Sequence, residues 1–419
     1  MSMKENKLIT NKHILVYTKI LSENAEKIHI IDFENIKKKF CGLVVSELDE
    51  LNVKHKSDTI IFMAGDIGQI YENIKDKQKN IFCIIRELSY NYVESDEHEV
   101  LNIGEIPINI NNVGVYFQSF FDQKKDYFDL ISTEHSFQDL TESNKPGKAL
   151  RNGIYLTEVT QQDENELLYK LLRCSTNLTG PTDNFRKTDH EIIDKVNNIG
   201  KFFFKSTVKF NHVLAQIYNN VNGKAQIKSH SDKTKDMPKN GLMAFCTFYK
   251  DYHDNKFNDN NLKLIKKLTD KNCDIYDHYY KTTTSILTRL RFRLKGMVEG
   301  DYVKYFDITL YPNSVFLMSL DMNRMYTHEI VPSILPMDKI PTRMGYVIRC
   351  SKTECIFNET ENKTFIIEGD KNVQLRKPVD DEIKKLKEMY FRENMTDELM
   401  EYGDVHFSLN NGDYMKPIL

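Results

Sequence analysis

Apolar positions change their pattern along the chain. Between residues 13 and 90 they come in short continuous runs, HILVYTK, KIHIIDF, DTIIFMAG and NIFCIIREL, which read as buried strands. Ile67, Ile70, Tyr71 and Ile74 mark one face of a helix between the last two. A small βαβ-type unit is expected here. Its turn AGDIGQ lacks the glycine spacing of a dinucleotide fingerprint, so a packed accessory domain is the better expectation.

Residues 138–152, QDLTESNKPGKALRN, are rich in turn formers and carry Pro146-Gly147, which marks them as the linker candidate. Further on, Thr188 and Glu191 spell a capping box that opens a helix over HEIIDKVNNIG. Just before it, RCSTNLTGPTDNFRKTD is a polar loop of the kind that covers a pocket. From about residue 201 the runs become strand-like and regularly spaced: FFFKSTVKFNHVLAQIY, GLMAFCTFY, SILTRLRFRLKG, YVKYFDITLY, SVFLMSL, RMGYVIRC and KTFIIEG. Such a series predicts a sandwich or barrel, with the polar stretch 250–275 as an insertion between strands. Asp380 and Asp381 precede Ile383, Leu386, Met389 and Tyr390, an amphipathic C-terminal helix.

Composition narrows the class. The 419 residues, 40% hydrophobic and 28% charged, suffice for one large or two ordinary domains with a buried core. MSMKENKLITNKH opens without an apolar stretch and no long apolar run follows, so a cytoplasmic or nuclear location is expected, with neither secretion nor membrane insertion. Seven scattered cysteines show neither zinc nor disulfide spacing. A net charge of −3 excludes coating of nucleic acid by bulk electrostatics; any such contact needs a local patch.

Candidate chemistry begins at IKSHSDKTKDM, where His230 and Asp232 stand two apart. On extended backbone both point to the same side and can ligate one ion. The pair alone decides nothing, because with twelve histidines roughly one His-x-Asp arises by chance. A facial site needs two imidazoles and one carboxylate, and His328 in RMYTHEIVP is the candidate third ligand. Arg343 and Arg349 in RMGYVIR share one strand face, with Gly345 and Val347 between them. Two guanidinium forks about 20 Å apart along the backbone and leaning inward suit a short dicarboxylate such as 2-oxoglutarate. Cys350 and Cys355 flank a strand and read as core, and no nucleophile-elbow sequence supports a hydrolase triad. Asp277-His278 and His253-Asp254 lie in the polar insertion and read as solvated.

His-x-Asp, a distal His and Arg-x-x-x-x-x-Arg, in that order, resemble the AlkB-like branch of the Fe(II)/2-oxoglutarate-dependent dioxygenases. Gln216-Ile217-Tyr218 stands where that family has Asn-x-Tyr, LTRLRFRLKG resembles its Arg/Phe-alternating strand, and LYPNSVFLMSL resembles the strand leading to its distal His. The likeness spans about residues 205–352. Gly345 stands in place of the family's usual Asn, and the interval from Asp232 to His328 is long, as an insertion at 250–285 would make it.

The resemblance implies a double-stranded β-helix (jelly-roll) oxygenase core over 150–370; with the α/β accessory domain read over 1–140 and the C-terminal helical extension over 371–419, an α+β protein is expected. It implies that His230, Asp232 and His328 hold Fe(II). Arg343, helped by Tyr218 and Gln216, would bind the distal carboxylate of 2-oxoglutarate, with Arg349 near the keto-acid end or the substrate side. O2 and 2-oxoglutarate would be consumed, and succinate and CO2 released, as a C–H bond is oxidised. Arg289, Arg291 and Arg293 alternate on one strand face, either as a solvated sheet face or as a phosphate-contacting ridge, and Tyr169 and Phe185 near the candidate lid are placed to stack on a flipped base. The implied substrate is a base of DNA or RNA. The alternatives are a protein side-chain hydroxylase of the same superfamily and an inactive binding module.

Overall fold

The structure is a computed structural model, and it describes residues 12–18, 30–46, 59–73, 80–141, 148–174, 176–250 and 287–419. The chain divides into two compact units, Met1–Phe120 with Asn198–Thr207, and Phe121–Asn197 with Val208–Leu419. It is an α+β protein, with a parallel sheet in the first unit and large antiparallel sheets in the second.

In the first unit, strands Leu43–Val45, His13–Tyr17, Ile60–Asp66, Ile81–Tyr90 and Glu99–Leu101 lie side by side in that order, all parallel. Their continuous apolar runs follow from burial of both faces. Ile14, Val16, Ile61 and Met63 meet Ile67 and Ile70 on one face, while Leu15, Phe62 and Ala64 meet Phe33 and Ile36 on the other. KIHIIDF is not a strand where it is described, because Ile30–Lys39 is a helix. Buried Phe33, Ile36 and Phe40 recur at three and seven residues, a helical period that outweighs the short apolar run. In AGDIGQ, Gly65 holds φ +94, and a Cβ there would lie 2.4 Å from Thr18 Oγ1, so the glycine serves a tight strand-to-helix turn.

In the second unit eight successive strands are labelled here: β1 (His212–Tyr218), β2 (Ile227–His230), β3 (Leu242–Tyr249), β4 (Arg289–Leu294), β5 (Tyr305–Thr309), β6 (Ser314–Ser319), β7 (Tyr326–Val331) and β8 (Arg343–Arg349). They divide between two sheets, with β4 and β5 adjacent in one of them. One carries the order β1-β8-β3-β6 and is extended beyond β1 by Lys148–Thr157, Gln138–Thr141 and Asn177–Leu178; the other is β2-β7-β4-β5. Phe245 of β3 meets Phe292 of β4 and His328 of β7 edge-on, at 6.5 and 5.2 Å between ring centroids, so the inner faces pack on each other. A third antiparallel sheet runs Val159–Asp163, Glu166–Leu171, Thr353–Asn358, Lys363–Glu368 and Lys371–Gln374.

Three expectations change. Residues 138–152 are not a linker where they are described, since Gln138–Thr141 pairs antiparallel with Lys148–Thr157; residues 142–147, with Pro146-Gly147, lie outside the described residues. Phe202 and Phe203 end the helix Lys187–Phe203 and do not begin a strand. The Thr188–Glu191 capping box is absent, because Thr188 Oγ1 donates to Glu134 and Glu191 is taken by Lys125 and Tyr127. Asp189 instead accepts from the backbone N–H of Arg186 at 2.7 Å. The C-terminal helix forms over Asp380–Met395 and buries Leu386, Tyr390 and Glu393. No helix among the described residues is long and apolar enough to cross a membrane.

Candidate metal centre

β2 and β7 pair antiparallel with His230 directly opposite His328, which turns both imidazoles to one face, 4.5 Å apart between ring centroids. Asp232 follows after β2 ends, and its backbone is fixed by buried Asn323. The Asp232 N–H donates to Asn323 Oδ1 at 2.9 Å, and Asn323 Nδ2 donates back to the Asp232 carbonyl at 2.9 Å. Asp232 Oδ1 then stands 3.6 Å from His230 Nε2 and 3.9 Å from His328 Nε2. One ligand atom from each residue lies within 4.8 Å of the others, so the group can hold a metal ion. Ligand atoms at adjacent positions around one ion, each about 2.1 Å from it, stand about 3 Å apart, so ligation would draw the three closer together.

The protonation states suit ligation. His230 Nδ1–H donates to the Lys228 carbonyl at 2.8 Å, which orients the ring with Nε2 toward Asp232. Burial, aided by the neighbouring His230, pushes His328 down to about 3, so it is neutral at ordinary pH. Burial would raise the Asp232 carboxyl, but the Arg349 guanidinium and the two imidazoles hold it well below the usual carboxylate range.

The metal-ligand end opens into a cavity of about 400 Å³ whose floor is the inner face of β1, β8 and β3. Residues from neighbouring strands form rows across it. Arg343 and Arg151 both stand opposite Tyr218, Gly345 and Gly153 opposite Gln216, and Val347 opposite Leu214 and Phe245. Arg343 and Arg349 close the two ends of β8 on this face, as their even separation requires.

Their roles differ. Arg349 Nε donates to Asp232 Oδ2 at 2.6 Å, so this arginine is first a partner of the metal-binding carboxylate. The buried Arg343 lies over the Tyr218 ring, its guanidinium carbon 4.0 Å from the ring centroid, and its Nε and Nη2 have no acceptor among the described residues. Gly345 explains the fit: a Cβ there would lie 2.9 Å from Arg343 Nη1. Where the resembled family has Asn, this chain uses a glycine to make room for the folded-back guanidinium. Tyr218 OH donates to Gln216 Oε1 at 3.3 Å.

Other residues around the site were missed in the sequence. The run Ser231–Met237 looks solvated, yet all seven residues are buried. Their polar groups find partners on the C-terminal helix. Ser231 N–H and Lys233 Nζ donate to Asn394 Oδ1 at 2.9 and 2.8 Å, and Thr234 N–H donates to Glu393 Oε1 at 3.1 Å. Lys295 Nζ donates to the Glu393 and Thr396 carbonyls at 2.7 and 3.1 Å. Arg151, in the segment read as a linker, lines the cavity with its guanidinium carbon 5.9 Å from the Tyr218 centroid. Even spacing from Gly153 on a strand would have found it.

The candidate substrate residues are placed differently from expectation. Leu290 turns into the cavity and Phe292 packs inward, so the alternating Arg289, Arg291 and Arg293 face the opposite side of their sheet. They are also paired: Arg289 and Arg291 with Asp307 at 3.0 and 2.8 Å, and Arg293 with Glu329 at 3.1 Å. Phe185 is buried against the His190 ring and Tyr169 lies in the core of the third sheet; neither lines the cavity. Cys350 and Cys355 are buried thiols; burial pushes Cys350 up to about 12 and Cys355 well above the usual thiol range. His253-Asp254, Asp277-His278 and the 250–285 insertion, apart from Lys250, lie outside the described residues.

A second group, Glu134, His135 and Asp189, also brings possible ligands together. Its chemistry is ionic. His135 donates from Nδ1 to Asp183 and from Nε2 to Asp189, both at 2.8 Å. Burial would lower this imidazole, but the two carboxylates raise it to about 9. With both ring nitrogens protonated, it has no lone pair for a metal. No protein-family model matches the sequence, and no curated protein matches it.

Proposed function

We propose that this chain is an Fe(II)- and 2-oxoglutarate-dependent dioxygenase with a jelly-roll core, acting on a base of a nucleic acid. The strand order supports the fold reading. Eight successive strands distributed as β1-β8-β3-β6 and β2-β7-β4-β5 are what a folded-over ribbon of antiparallel strands gives.

One observation carries the reaction class. A buried guanidinium whose Nε and Nη2 have no acceptor among the described residues, that of Arg343, shares a cavity with a His-Asp-His triad. A buried arginine without an anion is costly, and a carboxylate is the fork-shaped acceptor that relieves it. The other end of the same small molecule can then reach the metal ligands.

Fe(II), when bound, supplies the activation of O2, with 2-oxoglutarate as the co-reductant that leaves as succinate and CO2 while a C–H bond is oxidised. His230 Nε2, His328 Nε2 and Asp232 Oδ1 would hold the ion from one side. Arg349 keeps Asp232 Oδ2 occupied, which fixes the carboxylate rotation and leaves Oδ1 for the metal. Arg343 would bind the distal carboxylate, with Arg151 as a second cation across Tyr218. Leu214, Val347 and Phe245 give the middle of the cavity an apolar wall that limits water.

The substrate class rests on the motif likeness, together with Lys228 and Arg151 in the cavity wall. The neutralised, outward-facing Arg289–Arg293 row favours the second reading, hydroxylation of a protein side chain. Protein reconstituted with Fe(II) is given 2-oxoglutarate and a mixed panel of methylated oligonucleotides and peptides, with succinate as the readout. Turnover on oligonucleotides is expected. Turnover on peptides alone would replace the substrate class, and no 2-oxoglutarate binding in the presence of metal would end the dioxygenase reading.

A further inference from the structure

The second unit holds another cavity, of about 420 Å³, built from different chemistry. Two cations in its wall share a single buried carboxylate. Arg173 grips Asp236 with Nε at 3.1 Å and Nη2 at 2.6 Å, and Lys235 Nζ approaches the same group at 3.3 Å. Thr353 Oγ1 donates to it as well, at 2.9 Å. Lys235 is itself buried, and this one long contact is its only acceptor among the described residues.

Arg324 adds a third cation to the wall. One arm of its guanidinium turns to Asp321, while Nη1 is buried with no acceptor among the described residues. Buried Asp413 acts on Arg173 and Lys235 only through its charge, because its carboxyl accepts from Ser408 Oγ and Asn410 Nδ2 and makes no hydrogen bond to either cation among the described residues. At the rim, Glu368 is engaged by His406 at 2.9 Å. Buried ammonium and guanidinium donors left short of acceptors are unfavourable unless an anion enters, and the two in one cavity wall suit an oxyanion that accepts several hydrogen bonds.

We propose that this cavity binds a small oxyanion of the phosphate class, held by Lys235 and Arg324. The volume leaves room for free phosphate or for the phosphate end of a small ester. The site is distinct from the metal centre, although Lys235 and Asp232 belong to the same buried run.

The test uses the full-length protein, kept metal-free with a chelator and titrated with inorganic phosphate and, in parallel, glycerol phosphate. Chloride at matched ionic strength is the reference, and the readouts are melting temperature and heat of binding. Saturable binding of at least one phosphate is expected, weakened by roughly tenfold or more in Lys235→Met and in Arg324→Gln, as loss of one charge-assisted hydrogen bond requires. Arg343→Met, in the other cavity, should leave this binding unchanged. Lys235 is buried, so Arg324→Gln serves alone if Lys235→Met does not fold. Shifts no larger than those of chloride, binding undiminished in the variants, or binding abolished by Arg343→Met would each overturn the assignment.

Discussion

Arg349 and Asp232 divide the labour of one carboxylate: Oδ2 accepts from Arg349 Nε at 2.6 Å, while Oδ1 is the oxygen that faces both histidines. Arg349→Gln removes the counter-charge and leaves a buried acid. Breaking a buried pair of this kind costs about 3–5 kcal/mol. The linkage sign is that of a depressed carboxyl, whose stabilisation is present above its unfolded pKa and is lost as pH falls through the folded one. In the variant burial dominates and the carboxyl rises, so a proton competes with the metal at higher pH. Cobalt(II) absorbance titrations should show metal affinity down by about 10–100-fold near neutral pH, with the deficit growing as pH falls. A variant that binds cobalt like the parent at every pH would remove Arg349 from the site.

Gly345 and Arg343 make a second pair. A Cβ at 345 would come within 2.9 Å of Arg343 Nη1. Gly345→Ala should therefore displace the guanidinium, and Arg343→Met should delete it. Under the proposed function both weaken 2-oxoglutarate binding, by about tenfold or more for Arg343→Met, and leave metal binding intact. Arg151→Met should have a smaller effect in the same direction, because this side chain is only half-buried. Calorimetric titration of the metal-loaded variants with 2-oxoglutarate checks all three.

How much was legible in the sequence depended on whether position or partner was being asked for. Arg343 and Arg349 could be placed on one face of β8 because every second residue of a strand shares a face. Alternation in Arg289–Leu294 separated two faces equally well, but it could not say which one turns inward; Leu290 and Phe292 settle that by packing. The run 231–237 is polar in sequence and buried in structure, since its partners Asn323, Glu393 and Asn394 lie roughly 90 to 160 residues away. No local pattern reports such pairings. KIHIIDF misled for the opposite reason, because a short mainly apolar run fits strand or helix until Phe40 completes the period.

His135 predicts a pH-dependent stability independent of the metal centre. Its folded pKa is raised to about 9, so its contribution is fully present below the unfolded value near 6.5 and is lost as pH rises through about 9. Integrated over that window it is on the order of 3 kcal/mol. Urea unfolding at pH 6 and at pH 10 should show the parent losing stability of this order relative to His135→Gln. Equal pH slopes in the two proteins would show that the imidazole is neutral in the fold.

Asn323 holds both backbone polar groups of Asp232, and Asn394 Oδ1 accepts from the Ser231 N–H and from Lys233 Nζ. Asn323→Ala leaves a buried N–H and a buried carbonyl without partners, at about 1–3 kcal/mol for each unsatisfied group. Asn394→Ala strands the Ser231 N–H, while Lys233 keeps the Tyr390 carbonyl at 3.0 Å. Asn323 acts on the ligand-bearing peptide itself and Asn394 acts one residue away. Metal affinity should therefore fall in both variants, and further in Asn323→Ala. Truncation before Asp380 removes Glu393 and Asn394 together, exposes the run 231–237 and should abolish metal binding. A truncated protein that folds by circular dichroism and still takes up cobalt(II) would show that β2 and β7 hold the ligands without the helix.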